Sequence, residues 1–189
     1  MRHSGGWGRG AGVAALLAAT FMGGAAPVAA TTVAGMETSA QAVSADRIFV
    51  GVVTSVASRP KAAKPKYFET VVRFDVEDAV AGSMPSSVEL TFSGGDVGGI
   101  RQKVGGMPEF VVGERYVVLV EPDQQPPLAS PVVGFNQGLY RVVGTSRATA
   151  VVRDRVGKPL AASGGAARAS GSDPTLDEFL DGLRAARAK

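Results

Sequence analysis

Two short segments in which apolar and polar residues alternate constrain the fold of this chain more than any other feature. They are VRFDVE at 72–77 and VELTF at 88–92. Successive side chains of a β-strand point to opposite faces, so each segment predicts a strand with one buried face and one solvated face. Turns that contain glycine or proline follow both segments, which favours antiparallel strands.

Other segments have the β-branched composition of strands and are likewise bounded by turn residues. The predicted strands lie at 47–56, 68–79, 88–92, 100–104, 115–120, 139–143 and 149–153. Gly51 within the first predicts a bulge or a bend. Many short strands with one or two helices predict a mainly β fold. A small antiparallel OB-like barrel fits this length, because closure avoids open edges, and a β-sandwich is the alternative.

The first thirty residues have the pattern of a secretory signal peptide. Arg2 and Arg9 make the start positive, an apolar stretch follows from 11 to 30, and small residues precede Thr31. This pattern predicts export to the periplasm or the exterior, with cleavage before Thr31. An uncleaved membrane anchor is the alternative, although glycines and a proline interrupt the apolar stretch.

Composition divides the rest of the chain into four parts. The predicted parts are an N-terminal segment at 31–45, a β-barrel domain at 46–161, a flexible linker at 162–173 and a C-terminal helix at 174–188. Asp173 is the predicted N-cap of the helix, with Pro174 in its first position. Four apolar residues recur at helical spacing and predict one buried face: Leu176, Phe179, Leu180 and Leu183.

The absence of cysteine, together with a single histidine at His3, excludes most catalytic chemistry. Ser-His-Asp and Cys-His nucleophiles and ordinary zinc sites need residues that the chain lacks after signal removal. We therefore predict no catalytic, metal-binding or cofactor-binding residues. The net charge of +3 falls to +1 without the signal, since 18 basic and 17 acidic residues remain. Charge alone therefore does not indicate nucleic acid as a partner.

Three regions are candidates for binding another protein. The first is a predicted basic loop, SRPKAAKPK at 58–66, which is either simply solvated or a docking site for an acidic partner. The second is the loop at 134–138, which presents hydrogen bonds to a peptide or folds inward as a tight turn. The third is the helix, which packs on its own domain or on a partner. The candidate residues are Arg59, Lys61, Lys64, Lys66, Phe135, Asn136, Gln137 and Phe179.

The order of the segments resembles a group of exported bacterial proteins whose genes often lie near those of matrixin-type metalloproteases. The segments that carry this resemblance are ADRIFVG at 45–51, FETVVRFDVEDAVAG at 68–82, VELTFSGG at 88–95, GMPEFVVGERYVVLV at 106–120 and PVVGFNQGLYRVV at 131–143. A more limited resemblance, in strand order and VGERY at 112–116, is to netrin-type OB barrels such as tissue inhibitors of metalloproteases. Those inhibitors chelate zinc through an N-terminal cysteine, which this chain lacks.

These observations predict an exported, non-catalytic binding module, and the resemblance implies a secreted metalloprotease as a partner. The basic loop has no interleaved aromatic residues for base stacking, and export separates it from nucleic acid. Two alternatives remain open. One is a hydrolase that uses a pair of its carboxylates, and the other is a passive envelope module that assembles through its terminal helix.

Overall fold

The computed structural model describes residues 35–124, 128–160 and 173–189. The predicted signal peptide and nearly all of the predicted linker lie outside them. The helices are α1 (Thr38–Ser44) and α2 (Leu176–Arg187), and the strands are β1 (Arg47–Lys61), β2 (Lys64–Ala81), β3 (Ser87–Ser93), β4 (Gly95–Val97), β5 (Ile100–Gln102), β6 (Arg115–Val120), β7 (Leu139–Val143) and β8 (Val151–Asp154). All eight strands lie within 46–161, the predicted β domain.

Six strands form one antiparallel sheet in the order β3-β2-β1-β6-β7-β8, and β4 and β5 form a separate hairpin. The described pairings leave β3 and β8 at opposite edges, so they do not close the sheet. The prediction of a mainly β, antiparallel fold with a C-terminal helix is confirmed. The bulge or bend predicted at Gly51 takes the form of a shift in the β1–β2 register between Val50 and Gly51. A side chain at Gly51 would lie 3.0 Å from the carbonyl oxygen of Asp75.

Both faces of the central strands are buried, and each face contributes to a different core. The first core lies between the sheet and the two helices; its larger residues are Ile48, Val50, Val117, Leu119, Tyr140, Val142, Leu176, Phe179, Leu180 and Leu183. The second core lies on the other face; its larger residues are Phe49, Val53, Val72, Phe74, Leu90, Phe92, Tyr116, Val118 and Leu139. Burial on both faces explains why residues 48–53 of β1 and 116–120 of β6 are almost uninterrupted apolar runs.

Helix α2 is packed on its own domain, with the four predicted apolar residues buried. The prediction that Asp173 caps this helix is wrong. Thr175 is the N-cap, and its side chain and that of Glu178 form a reciprocal capping box. The segment before it is extended, because the Pro174 carbonyl accepts a hydrogen bond from Val152 N–H of β8 (2.9 Å). No helix among the described residues has the length and apolarity needed to cross a membrane.

Gly182→Ala is expected to stabilise the protein by about 0.5–1 kcal/mol, because Gly182 lies within α2 and alanine restricts the unfolded chain more. Apart from the backbone of its own helix and its chain neighbours, no atom lies within 4 Å of a Cβ built at this position. Urea denaturation of both proteins measures the difference. Gly51→Ala is the matched control and should destabilise, because its new methyl group meets strand backbone. Destabilisation by Gly182→Ala would contradict the helical environment described for this residue.

Candidate functional site

The basic segment at 58–66 is the far end of the β1–β2 hairpin, so the prediction that it is a loop is wrong. Only two residues separate the strands, and Lys61 pairs with Lys64 across the turn. Pro60 and Pro65 are tolerated because each lies where its strand has a single neighbour. The β6 ladder on β1 stops at Val52, and the β3 ladder on β2 begins only at residue 69. The N–H that each proline lacks is therefore not needed for a hydrogen bond to β6 or β3.

The β4–β5 hairpin packs against this end of the sheet and is hydrogen-bonded to it. The side-chain amide of Gln102 donates to the Lys66 carbonyl (2.6 Å), and its oxygen accepts from the Phe68 N–H (2.7 Å). Gly95 approaches Ser58 so closely that any side chain there would collide with the Ser58 hydroxyl. These contacts hold two hairpins together as one unit.

Six cations lie where these two hairpins meet and define the basic end of the molecule. They are the four predicted residues Arg59, Lys61, Lys64 and Lys66, together with Arg101 and Lys103. Sequence reasoning missed the last two, because their contribution depends on how the second hairpin packs. Glu69 and Asp96 are the two acids of this end, and they pair with Arg59 (2.8 Å) and Arg101 (3.2 Å). The net charge of the basic end is therefore +4.

The four lysines of the basic end form no ion pair with any carboxylate in the described part of the chain. Lys61 donates a hydrogen bond to the Ser93 hydroxyl (3.0 Å), whereas Lys64 and Lys66 are exposed. Their positive charge is available for an acidic surface.

The side chains of Asn136 and Gln137 in the loop at 134–138 form hydrogen bonds within the molecule. Phe135 has a left-handed backbone conformation (φ 71°) and is only partly exposed. Asn136 is buried and donates to the Gly106 carbonyl. The side-chain oxygen of Gln137 accepts from the Met36 N–H (2.6 Å). The loop has the inward turn that the sequence left as one of two alternatives.

Phe179 belongs to the first core. It is 8% exposed, and its ring packs on Tyr140 with centroids 4.7 Å apart. The Tyr140 hydroxyl donates to the side-chain oxygen of Gln41 in α1 (2.7 Å), and burial raises the pKa of this tyrosine. The apolar face of α2 is therefore occupied, and Phe179 is not accessible to a partner in this conformation.

An open groove where β6 starts and β7 ends was not foreseen from the sequence. Its lining includes three arginines, Arg115, Arg141 and Arg153, and one carboxylate, Glu114. The arginines lie far apart along the chain and in no motif, so only the pairing of β6, β7 and β8 brings them together. No cluster of three or more metal-ligating side chains occurs among the described residues.

The fold defines a class, an antiparallel β domain with a docked C-terminal helix and a basic end. Comparison with known proteins found no matching family model, curated protein or solved structure.

Proposed function

We propose that this chain is an exported, non-catalytic binding module that docks on an acidic surface of another exported protein. The basic end is the docking surface. The observation that carries this proposal is the set of four lysines without carboxylate partners where the two hairpins meet.

The rigidity of this end supports its use in recognition. Lys61, Lys64 and Lys66 lie on paired strands. Gln102 of the second hairpin is hydrogen-bonded to the backbone of Lys66 and Phe68. Binding therefore orders side chains but little backbone, which reduces the entropic cost of association. Unpaired surface charges also steer an oppositely charged partner and raise the association rate.

The partner proposed first is a secreted metalloprotease, because the chain resembles exported proteins encoded near such enzymes. Inhibition by cysteine-mediated zinc chelation does not transfer to this chain, which has no cysteine. A contact outside the catalytic zinc is therefore the mode that we propose. A hydrolase is less well supported, since the groove lining has one carboxylate, and Glu114 is already bonded to Tyr116 and Arg141.

The double variant Lys64→Glu/Lys66→Glu is expected to weaken capture of the partner by at least about tenfold at low salt. Tagged protein is used to capture proteins from the exported fraction of its own organism, and mass spectrometry identifies them. Affinity is then measured with the purified partner at several salt concentrations. Binding should weaken as salt rises, because ions screen exposed charges.

Lys158→Glu/Lys189→Glu is the matched control, since it reverses two exposed lysines outside the basic end. This control should bind within about twofold of the parent protein. Equal losses in both double variants would show that net charge alone matters, and the assignment to the basic end would be wrong. A metalloprotease partner is then tested for inhibition with the same variants.

A further inference from the structure

The arginine groove has the features of a second binding site, distinct from the basic end. Its volume is about 610 Å³, and its walls come from β1, β6, β7 and β8, the residues just before β6, and the turns that follow β7 and β8. Ligand sites are typically concave and largely apolar, with a few polar groups that fix orientation. The groove is lined by valines and by three arginines. Arg141 and Arg153 are paired across β7 and β8 and share one face of the sheet, whereas Arg115 belongs to the other face.

Arg141 is held by a chain of hydrogen bonds that begins in the second core. The buried Tyr116 hydroxyl donates to one oxygen of Glu114 (2.6 Å), and the other oxygen accepts from Arg141. Burial, followed by the hydrogen bond to Glu114, raises the pKa of Tyr116, so this hydroxyl stays a donor. Glu114 is thus satisfied by its own neighbours, and it orients Arg141 rather than competing for a ligand.

The two other arginines are anchored in the same manner. Arg115 contacts Glu77 (2.8 Å) and also donates to the Gly144 carbonyl (3.4 Å). Arg153 contacts Asp173 (2.8 Å) and donates to the Gly157 carbonyl (3.4 Å). Each guanidinium is therefore fixed by acceptors, which is the preorganisation that a recognition site requires.

Arg141 retains most of its hydrogen-bonding capacity. A guanidinium has five N–H donors. Among the described residues, the one hydrogen-bond acceptor of the Arg141 side chain is Glu114. Its side chain is 39% exposed. A planar fork of donors matches the two oxygens of a carboxylate, and such bidentate pairs are strong and directional.

Apart from Thr145, the remaining lining consists of valines and glycines. Val143 and Val156 are 40% and 61% exposed, which is high for aliphatic residues beside a groove. Gly113, Gly144 and Gly157 add stretches of wall without side chains. An aliphatic body that accompanies the carboxylate would cover the valines and remove apolar surface from water.

We propose that this groove binds a carboxylate carried on a short aliphatic body, with Arg141 as the principal contact. Arg153 lies opposite Arg141 in the β7–β8 pairing and lines the groove beside it. Tyr116 acts as a positioning residue through Glu114. Two sources share this chemistry: a free aliphatic acid and the C-terminus of a peptide. The site is independent of the proposed docking function, because none of its residues belongs to the basic end.

The test is an NMR titration that follows the side-chain Nε–H signals of the three arginines in the full exported chain. Hexanoate should shift these signals saturably and bind about tenfold more tightly than acetate, because its extra methylenes leave water. N-acetyl-valyl-valine and its C-terminal amide form the second arm. Tighter binding of the peptide acid than of hexanoate assigns the site to peptide C-termini, and the reverse order assigns it to free acids.

Arg141→Gln is expected to weaken binding by at least about tenfold, whereas Arg73→Gln should leave it unchanged. Arg73 is the matched control, since it is an ion-paired arginine on β2 outside the groove lining. Tyr116→Phe keeps the buried ring and should weaken binding severalfold while moving the Arg141 signal of the free protein. If Arg141→Gln does not fold, Arg153→Lys replaces it, with a smaller loss expected.

Absence of saturable shifts with hexanoate and the peptide acid would overturn the proposal. Equal affinities in Arg141→Gln and Arg73→Gln would also overturn it, as would equal binding of the peptide amide and the peptide acid.

Discussion

Phe74→Ala is expected to lower the free energy of unfolding by about 3–5 kcal/mol, the range for deleting a fully buried phenylalanine side chain. Phe74 is fully buried in the second core. Its ring meets Phe49 and Phe110 edge-to-face, with centroids 5.6 and 5.7 Å away. The substitution removes the ring between these two partners, so it adds a cavity to the loss of buried apolar area.

Urea denaturation followed by circular dichroism measures this effect. Tyr67→Ala is the matched control, because Tyr67 is an aromatic residue of the same strand and is 58% exposed. Its loss should change stability by less than about 0.5 kcal/mol, as is usual for surface positions. Similar losses for the two variants would contradict the position of Phe74 within the core.

Leu180→Ala is expected to destabilise the protein by about 2–5 kcal/mol, the range for large-to-small changes in a core. Leu180 is fully buried in the first core, where α2 covers the sheet. The helix is also anchored at both ends. Arg147 bridges Asp78 of β2 and Asp177 of the helix (2.9 Å each), and Arg187 donates to two carbonyls at the end of α1.

The adjacent substitution, Asp181→Ala, is the control for Leu180→Ala. The Asp181 side chain is exposed, and its contact is a surface ion pair with Arg184 three residues on (3.0 Å). Such pairs contribute at most about 1 kcal/mol, so this variant should unfold close to the parent protein. If Leu180→Ala were equally mild, the helix would not be docked in solution, and Phe179 would return as a candidate contact for a partner.

The strands were the most predictable part of the fold. The alternation at 88–92 predicts β3, which spans Ser87–Ser93, and the apolar run at 115–120 predicts β6 at the same residues. The first prediction succeeds because burial of one strand face is a local pattern that repeats every two residues. The second succeeds because burial of both faces requires a continuous apolar run. The spacing of the apolar residues in α2 likewise predicted a helix with one buried face.

The errors occur where tertiary contacts outweigh local preference. Pro60 and Pro65 suggested a loop, yet both lie in strands, because each strand has a free edge at that point. Asp173 has the residue type of an N-cap, but it pairs with Arg153 instead. The bond from Val152 to the Pro174 carbonyl keeps the chain extended there, and the helix begins later.

The candidate sites also include residues that the sequence indicates and residues that only the fold brings together. Arg59, Lys61, Lys64 and Lys66 were visible in the sequence because they cluster within eight residues. Arg101 and Lys103 join them only through the packing of the second hairpin. The arginine groove left no signal, because Arg115, Arg141 and Arg153 come from three strands.

The sequence by itself determined the alternation that makes this chain mainly β, the apolar face of its last helix and the scarcity of catalytic residue types. Each depends on the periodicity or the identity of residues close together in the chain. The tertiary structure decided that the helix packs on its own domain, that the 134–138 loop turns inward and that three arginines share one groove. Those outcomes depend on which distant segments pair, and strand pairing is selected by the burial of whole faces rather than by any local residue.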